Sequence, residues 1–447
     1  MTGVRVFASA TAAALLLMGI AAGGGSAAVR AGGSAAVGSY IVVLKDGTDS
    51  SAVAARHGKR YGADVSFVYK HAVKGYAARL TASAVAAVQT DPDVQFVSED
   101  RNVTAAAIGD CSDLTQCQRV SIGVSRINGD KSSTQSGDGS GTVPINVAVL
   151  DTGIDTSHAD LNVVGGVDCT SGRGIDDPNG HGTVVAGLIG ARDNGFGRVG
   201  VAPDARLWAV RVLKAKGDAS DSEVICGIDW VTSTKTDSDR SNDIAIANMS
   251  LGGPGDDDGN CGQTRHNAFH LAICRSIAAG VTYVVSAMND SADVANVEPA
   301  GYDEVLTATA LADYDGLQGG LASPTCAPLG ADDSAATFTN FATLPEDQAH
   351  TVAAPGVCLG STYPPSTYAI EFGGTSFASP LVAGTVALCI HSGPCAALTP
   401  AQIVRKIVAD AAAYNTKRKN AGYGFQGDPL RPIGGRYYGY LIDAGIY

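Results

Sequence analysis

Three residues whose side chains can jointly activate a hydroxyl group stand in separate parts of this sequence. Asp151 ends the apolar segment VAVLD, His181 lies in NGHGT, and Ser376 lies in EFGGTSFASPLVAG. A serine hydroxyl is a weak nucleophile at neutral pH, so it needs a histidine as general base and a carboxylate that fixes the tautomer of that histidine. Each residue alone has an ordinary explanation as a strand cap, a structural histidine or a helix N-cap. Together they predict nucleophilic attack by Ser376 on a carbonyl group.

The segments around these residues predict an α/β fold with a mostly parallel sheet and helices on both faces. Uninterrupted apolar strands alternate with helices from about residue 143 onwards, as expected of parallel strands buried on both faces. The predicted strands are 145–151, 205–213, 244–252 and 281–289, and the predicted helices are 181–191, 222–233, 268–280 and 399–414. Ligands of such sheets bind at the carboxyl ends of the strands. Asp151 lies at such an end, and His181 and Ser376 each begin a helix rich in small residues that we expect to be buried.

The sequence pattern of residues 39–103 predicts a separate and smaller domain. Their predicted elements follow the order β-α-β-β-α-β, which is typical of a ferredoxin-like α+β domain. This segment contains no cysteine, whereas the chain after it contains ten. We therefore predict a linker at 102–110 and a second domain over 106–447.

Residues 1–28 have the pattern of a secretory signal peptide. One arginine precedes an apolar run of about fifteen residues, and glycines and small residues follow it. The run is shorter than the roughly 20 residues that a membrane-spanning helix needs. We therefore expect a secreted, extracellular protein without a membrane anchor.

The ten cysteines indicate disulfides formed in an oxidising compartment. Close spacing suggests the pairs Cys111–Cys117, Cys261–Cys274 and Cys389–Cys395, which would leave Cys169–Cys226 and Cys326–Cys358. The sequence alone permits other pairings. An alternative is a zinc site, because the last three of its four possible ligands lie four residues apart on one predicted helix face. Those four residues are Cys261, His266, His270 and Cys274.

The charge of the chain argues against two classes of partner. The formal net charge is −13, and the excess of acidic residues lies after residue 105. An acidic body is unsuited to bind nucleic acid or an anionic membrane, but it is compatible with bound cations. We interpret residues 256–258, which are three aspartates, as a solvated loop and His158 as a surface residue.

The motifs around the three polar residues resemble those of the subtilisin-like serine proteases. VAVLDTGID, NGHGTVVAG and GTSFASPLVAG occur in the family's order of Asp, His and Ser, and SLGG (250–253) and AAPGV (353–357) match as well. The resemblance covers roughly residues 118–447 and implies the family's fold and a serine endopeptidase activity. It also implies that residues 39–103 are an inhibitory propeptide. Such a domain templates folding and blocks the site as an intramolecular inhibitor until the chain is cut within 102–110.

The resemblance implies roles for residues near the nucleophile. The Asn289 amide and the backbone N–H of Ser376 would stabilise the oxyanion of the tetrahedral intermediate. The walls of the substrate pocket would be Ser250, Leu251, Gly252 and Gly253 on one side and Ala287 and Met288 on the other. Residues 216–218 would form the opposite edge, and Val297 would lie near the pocket floor. Met288 departs from the family, which usually has glycine there, so we predict a narrowed apolar pocket without a fixed charge. Medium apolar side chains would be preferred over Arg or Lys.

The resemblance also implies a structural calcium ion (Ca²⁺). An all-oxygen ligand set suits such a hard cation. The matching positions are the side chains of Gln118, Asp160 and Asn194 and the backbone carbonyls of Arg192, Phe196 and Arg198.

The sequence therefore predicts a monomeric, exported serine endopeptidase that acts on proteins or peptides and is made as a self-processing proenzyme. One alternative is a catalytically inactive relative that binds peptides in the same groove. An esterase of the α/β-hydrolase type is disfavoured, because that fold expects the motif G-x-S-x-G and the order Ser, Asp, His. The sequence is also compatible with a dedicated processing protease rather than a degradative one.

Overall fold

The computed structural model describes residues 37–70, 74–100, 114, 117–170, 172 and 174–447. The chain divides into two compact units between Gly109 and Asp110. The predicted signal peptide and the predicted linker lie outside the described residues, so the domain limits stay predictions. Within the described part, no helix combines the length and the apolar character needed to cross a bilayer.

The first unit has the predicted βαββαβ order. Its strands are β1 (Val37–Leu44), β2 (Asp64–Tyr69), β3 (Gly75–Thr81) and β4 (Val94–Glu99), and its helices are α1 (Ser50–Tyr61) and α2 (Ala82–Gln89). The strands form one antiparallel sheet in the order β2-β3-β1-β4. Asp49 caps α1 by accepting hydrogen bonds from two backbone N–H groups, and Gly62 ends it in the left-handed conformation. The core of this unit includes Val42, Tyr76 and Val88.

The second unit contains the remaining strands and helices. Its strands are β5 (Gln118–Val120), β6 (Asn146–Asp151), β7 (Val163–Asp168), β8 (Gly197–Val199), β9 (Arg206–Arg211), β10 (Ile246–Met249), β11 (Gly253–Pro254), β12 (Thr282–Ser286), β13 (Val297–Glu298), β14 (Leu306–Ala312), β15 (Ser334–Ala335), β16 (Thr351–Pro355), β17 (Val357–Tyr363), β18 (Thr367–Gly373) and β19 (Tyr440–Leu441). Its helices are α3 (Ile122–Arg126), α4 (His181–Gly190), α5 (Asp221–Thr236), α6 (Ala268–Ala278), α7 (Pro345–Gln348), α8 (Thr375–His391) and α9 (Pro400–Asn415).

The central sheet confirms the predicted fold class. Its strands run in the order β19-β16-β14-β12-β10-β6-β9-β7 and pair in parallel, and the short β15 pairs antiparallel with β14. Alternate residues of β6 enter two different cores. Val147 and Val149 belong to the core that also contains residues of α4, α8 and α9, whereas Ala148 and Leu150 belong to the core that also contains residues of α5 and α6. Helices therefore cover both faces, which explains why the strand sequences are apolar throughout.

The described residues contain four disulfides, and all four match suggested pairs. They are Cys169–Cys226, Cys261–Cys274, Cys326–Cys358 and Cys389–Cys395. The fifth suggested pair includes Cys111, which lies outside the described residues.

Three minor predictions are wrong. His158 is only 3 % exposed, and its Nε2 lies 2.8 Å from the carbonyl oxygen of Thr367, so it is an interior residue. His266 precedes α6, which begins at Ala268, so it does not share a helix face with His270. The loop 256–258 is not simply solvated, because the carboxylate of Asp258 accepts hydrogen bonds from four backbone N–H groups and holds the following turn.

Candidate active site

Asp151 and His181 meet where the end of β6 contacts the start of α4. The carboxylate of Asp151 is fully buried, and its Oδ1 lies 2.8 Å from Nδ1 of His181 and accepts the Thr152 N–H at 2.7 Å. This close approach depends on Gly182, since a Cβ there would lie 2.1 Å from the carbonyl oxygen of Gly153. The small residue next to the histidine therefore allows α4 to pack against the strand end and to present His181 to the carboxylate.

The surroundings of His181 favour its charged form. Burial acts to lower the pKa of His181, but the charge of Asp151 and its hydrogen bond outweigh burial and raise that pKa above its ordinary value. Asp177 and Glu371 add smaller effects in the same direction. An imidazole stabilised in this way can accept a proton and hold it as an imidazolium.

Ser376 lies in the first turn of α8, and the residue that follows β10 holds that turn in place. Ser250, just beyond β10, donates from its hydroxyl to the carbonyl oxygen of Ser376 at 2.8 Å, and that hydroxyl also lies 2.8 Å from Oγ of Ser379. Ser379 is fully buried, as expected of a packed helix residue. The Ser376 hydroxyl donates to the carbonyl oxygen of Ser250 at 3.3 Å, so it must turn towards His181 before proton transfer. Such hydrogen bonds commonly form only when substrate is bound.

The orientation of the Asn289 amide is fixed by Thr375. Oδ1 of Asn289 accepts the Thr375 backbone N–H at 2.8 Å and lies 3.0 Å from its hydroxyl. A backbone N–H can only donate, so the oxygen of the amide must face Thr375. The Nδ2 group is thereby left as a hydrogen-bond donor on a residue that lines the same cleft as Ser376.

One cleft of about 560 Å³ brings most of the predicted site residues together. It is lined by His181, Asn289 and Ser376, by the predicted walls Ser250, Leu251, Gly252, Gly253 and Met288, and by the predicted edge Lys216, Gly217 and Asp218. Ala287 and Val297 are not among the lining residues, because both side chains are buried in the core beneath.

Sequence reasoning missed Glu298 and Phe269, which also line the cleft. Glu298 follows Val297 in β13, and neighbouring strand residues point in opposite directions. A buried Val297 therefore implies a Glu298 that faces the other side. Its Oε2 accepts hydrogen bonds from the Tyr302 hydroxyl at 2.6 Å and the Asn267 amide at 2.8 Å.

Met288 has a backbone conformation that is unusual for its side chain. Its φ is 72°, in the left-handed region that favours glycine. A Cβ built on Gly252 would lie 3.1 Å from Cγ and 3.2 Å from Sδ of Met288, so the methionine side chain packs against the opposite wall. The space between the two walls is therefore narrower than it would be with glycine at position 288.

Gln118 lies beside three backbone carbonyl oxygens of the predicted calcium site. Its Nε2 donates to the carbonyl of Arg192 at 2.8 Å and lies 3.4 and 3.5 Å from those of Phe196 and Arg198. Its Oε1 is buried and has no hydrogen-bond partner among the described residues. Three carbonyl oxygens lie around one amide, and the oxygen of that amide is buried without a partner among the described residues. Such a set of oxygen atoms can act as ligands of a hard cation, which prefers oxygen.

Asp160 completes this set of oxygen atoms. It is fully buried, its Oδ1 accepts the Asn194 amide at 3.0 Å, and its Oδ2 accepts the Arg198 N–H at 2.9 Å. Burial raises the pKa of Asp160 to about 6 despite these hydrogen bonds. A buried carboxylate with a raised pKa is the state expected of an anionic ligand without its cation.

The alternative zinc site is excluded at the positions that the sequence suggested. Sγ of Cys261 is bonded to Sγ of Cys274, so neither sulfur is a thiolate ligand. Nε2 of His270 lies 2.9 Å from Oε2 of Glu304, and the imidazole stacks on the ring of Tyr302 at 3.7 Å.

Comparisons with known proteins agree with this fold. Residues 143–425 match the family model for the subtilase family, and residues 39–106 match that for the peptidase inhibitor I9 family. The chain is 35 % identical to subtilisin DY of Bacillus licheniformis over 66 % of its own length and 92 % of the relative. It is 34 % identical to an alkaline protease of Alkalihalobacillus alcalophilus (70 % and 68 % covered) and 33 % identical to subtilisin E of Bacillus subtilis strain 168 (74 % and 74 %).

These matches define a serine peptidase, a hydrolase of class 3.4.21, that carries an inhibitor-type propeptide domain. The chain belongs to the subtilase family, because that family's model matches more than half of its length. The predicted resemblance is thereby confirmed.

Proposed function

We propose that this protein is a secreted, monomeric serine endopeptidase that cuts proteins and peptides and releases its own propeptide. The observation that carries the proposal is the 2.8 Å contact between His181 Nδ1 and Asp151 Oδ1 in a cleft that also holds Ser376. The disulfides support secretion, because such bonds persist in oxidising compartments.

Acylation begins when the Ser376 hydroxyl turns to His181. Nε2 of His181 takes the proton as Oγ attacks the carbonyl carbon of the scissile peptide bond, and Asp151 stabilises the imidazolium that forms. His181 then gives this proton to the leaving amine, the C–N bond breaks, and an ester joins the substrate to Ser376. Water activated by His181 hydrolyses the ester and regenerates the free serine.

The Nδ2 group of Asn289 and the backbone N–H of Ser376 donate to the oxyanion of each tetrahedral intermediate. Thr375 fixes the Asn289 amide before substrate arrives, so the donor needs no reorganisation during the reaction. The positive end of the α8 dipole adds to this stabilisation.

We propose that the pocket for the residue before the scissile bond prefers medium apolar side chains. Met288 narrows the pocket, and the carboxylate of Glu298 is already engaged by Tyr302 and Asn267. A peptide library should therefore be cut mainly after Leu, Met or similar residues. Cleavage chiefly after Arg or Lys would contradict this preference, and a Glu298→Gln variant would then show whether that carboxylate is the cause.

We propose that Gln118, Asp160, Asn194 and the carbonyls of Arg192, Phe196 and Arg198 hold a structural calcium ion. The support is the buried Oε1 of Gln118, which has no hydrogen-bond partner in the described part of the chain, and the buried carboxylate of Asp160. When bound, the ion neutralises this carboxylate and links segments that are distant in sequence. These residues take no part in proton transfer, so the ion would affect stability rather than the chemical step.

The decisive experiment compares the wild-type chain with Ser376→Ala. The wild type should lose the residues before about 110, whereas the variant should stay full length, because the removal of the propeptide needs the Ser376 nucleophile. Labelling with a fluorophosphonate should modify Ser376 in the mature wild type only. Equal processing of both chains and no labelling would favour the catalytically inactive peptide-binding alternative.

A further inference from the structure

A small acidic cleft of about 160 Å³ lies outside the catalytic cleft. Its lining includes Asp257, Asp303, Glu346 and Asp347, and no lysine or arginine from the described part of the chain lines it. Asp303 is exposed, so solvent can enter, whereas Asp347 is only 2 % exposed. Carboxylates this close together repel one another, so a bound cation would stabilise this cleft.

His350 supplies the independent observation. It is 2 % exposed, and neither of its ring nitrogens has a hydrogen-bond partner among the described residues. The same holds for Oδ2 of Asp347. Buried polar groups are hydrogen-bonded in the large majority of cases, so three unpartnered atoms in two neighbouring residues need an explanation.

These atoms are close enough together to share one ion. One ring nitrogen of His350 and one carboxylate oxygen from each of Asp303 and Asp347 lie within 4.8 Å of one another. Nε2 of His350 is 3.9 Å from Oδ1 of Asp347, which is too long for a hydrogen bond. Ligand atoms about 2 Å from a common ion lie roughly 3–4 Å apart, so a small contraction of the cleft would complete the site.

We propose that Asp303, Asp347 and His350 form a binding site for one divalent transition-metal ion of the zinc type. One imidazole and two carboxylates are ligands that zinc accepts, with water in the remaining position. Calcium and magnesium prefer oxygen ligands only, so His350 selects against them. The nearby Asp257 carboxylate accepts the backbone N–H of Asp303 at 3.0 Å and thereby holds that loop beside the ion.

The position of the site gives it a structural consequence. Glu298 ends β13 and lines the catalytic cleft, and Asp303 lies a few residues further along the chain. Asp347 lies in α7, and His350 immediately precedes β16. A bound ion would therefore link the loop beneath one wall of the substrate cleft to the central sheet.

The test uses the full-length Ser376→Ala chain, which avoids self-digestion. After removal of metals, the protein is placed in excess calcium to fill the oxygen-only site and is titrated with Zn²⁺ by calorimetry. We expect one Zn²⁺ site of micromolar or tighter affinity that is lost or weakened at least about tenfold in His350→Asn and in Asp303→Asn. His391→Asn, which changes an exposed histidine at the end of α8, should bind Zn²⁺ as the parent does.

Thermal unfolding provides a second readout. Both tryptophans, Trp208 and Trp230, lie in the second unit, so their fluorescence reports its melting and shows whether each variant is folded. Zn²⁺ should raise the midpoint of the parent and of His391→Asn, but not that of His350→Asn. If the buried variant fails to fold, Asp303→Asn tests the same site from its exposed side. No saturable Zn²⁺ binding by the parent, or equal affinity in parent and variants, would overturn the proposal.

Discussion

Asp160→Asn should change the stability of the protein in opposite directions with and without calcium. In the absence of calcium, the wild type must bury an ionised carboxylate, because the pKa of Asp160 is raised to about 6 while this group is fully buried. The ordinary pKa is 3.8. This rise in the pKa of Asp160 on folding corresponds to about 3 kcal/mol of destabilisation at pH 8.

The substitution removes that charge but introduces one unsuitable donor. Both carboxylate oxygens of Asp160 accept hydrogen bonds, one from Asn194 and the other from the Arg198 N–H, and the Tyr368 hydroxyl donates to this carboxylate as well. The amide of an asparagine has a single acceptor atom. One mispaired contact costs about 1 kcal/mol. Without calcium at pH 8, Asp160→Asn should therefore be about 2 kcal/mol more stable than the parent. For a unit of this size, this difference raises the melting midpoint by about 3 °C.

The effect should reverse at low pH. An acid whose pKa is raised by folding binds its proton more tightly in the folded state, so wild-type stability falls as pH rises from about 4 to about 6 and then levels off. At pH 4 the carboxyl group is largely neutral in the folded state and the gain disappears. The variant should then be slightly less stable than the parent.

The assay is thermal unfolding, monitored by tryptophan fluorescence, of chains that also carry Ser376→Ala. Unfolding is measured with chelator at pH 4 and at pH 8. A further measurement at pH 8 is made with calcium. Calcium at about 100 times its dissociation constant should add about 2.7 kcal/mol to the parent and little to the variant. Asp229→Asn, at an exposed position, is the control. If Asp160→Asn is less stable than the parent in chelator at pH 8, or if calcium stabilises both chains equally, the reasoning about this site is wrong.

Three further predictions concern catalysis. Asn289→Leu should lower kcat by about 10²–10³, the loss found when such a donor is removed from a subtilisin, with little change in KM for a peptide substrate. Asp151→Asn should lower kcat by about 10⁴. It should also move the acid limb of the pH–rate profile to lower pH, since Asp151 raises the pKa of His181 and only neutral His181 can act as base. An acid limb at the same pH in both chains would contradict the role given to Asp151. Met288→Gly should raise kcat/KM for substrates with Phe or Tyr before the scissile bond by at least about tenfold, and unchanged selectivity in a peptide library would show that Met288 does not narrow the pocket.

Much of the fold followed from local patterns. Apolar runs such as 145–151 are typical of strands buried on both faces, and Thr399 followed by Pro400 marks the start of α9. The loop 256–258 was predicted wrongly because its polarity suggested solvation, whereas Asp258 accepts hydrogen bonds from backbone N–H groups that lie only two to seven residues further along the chain. His158 was predicted wrongly because burial of a polar residue depends on partners that are distant in sequence. For His158 that partner is Thr367, more than 200 residues away.

The sequence by itself determined the class of protein, since the three motifs and their order name the chemistry without reference to distance. It also supplied the oxygen ligands expected of a calcium site and the departure at Met288. Only the tertiary structure decided which side chains meet. It oriented the Asn289 amide through Thr375, placed Glu298 in the cleft, and brought His350 beside Asp303 and Asp347. Short motifs reflect chemistry that acts over a few residues, whereas these contacts arise when the packing of the sheet brings loops together that are remote in sequence.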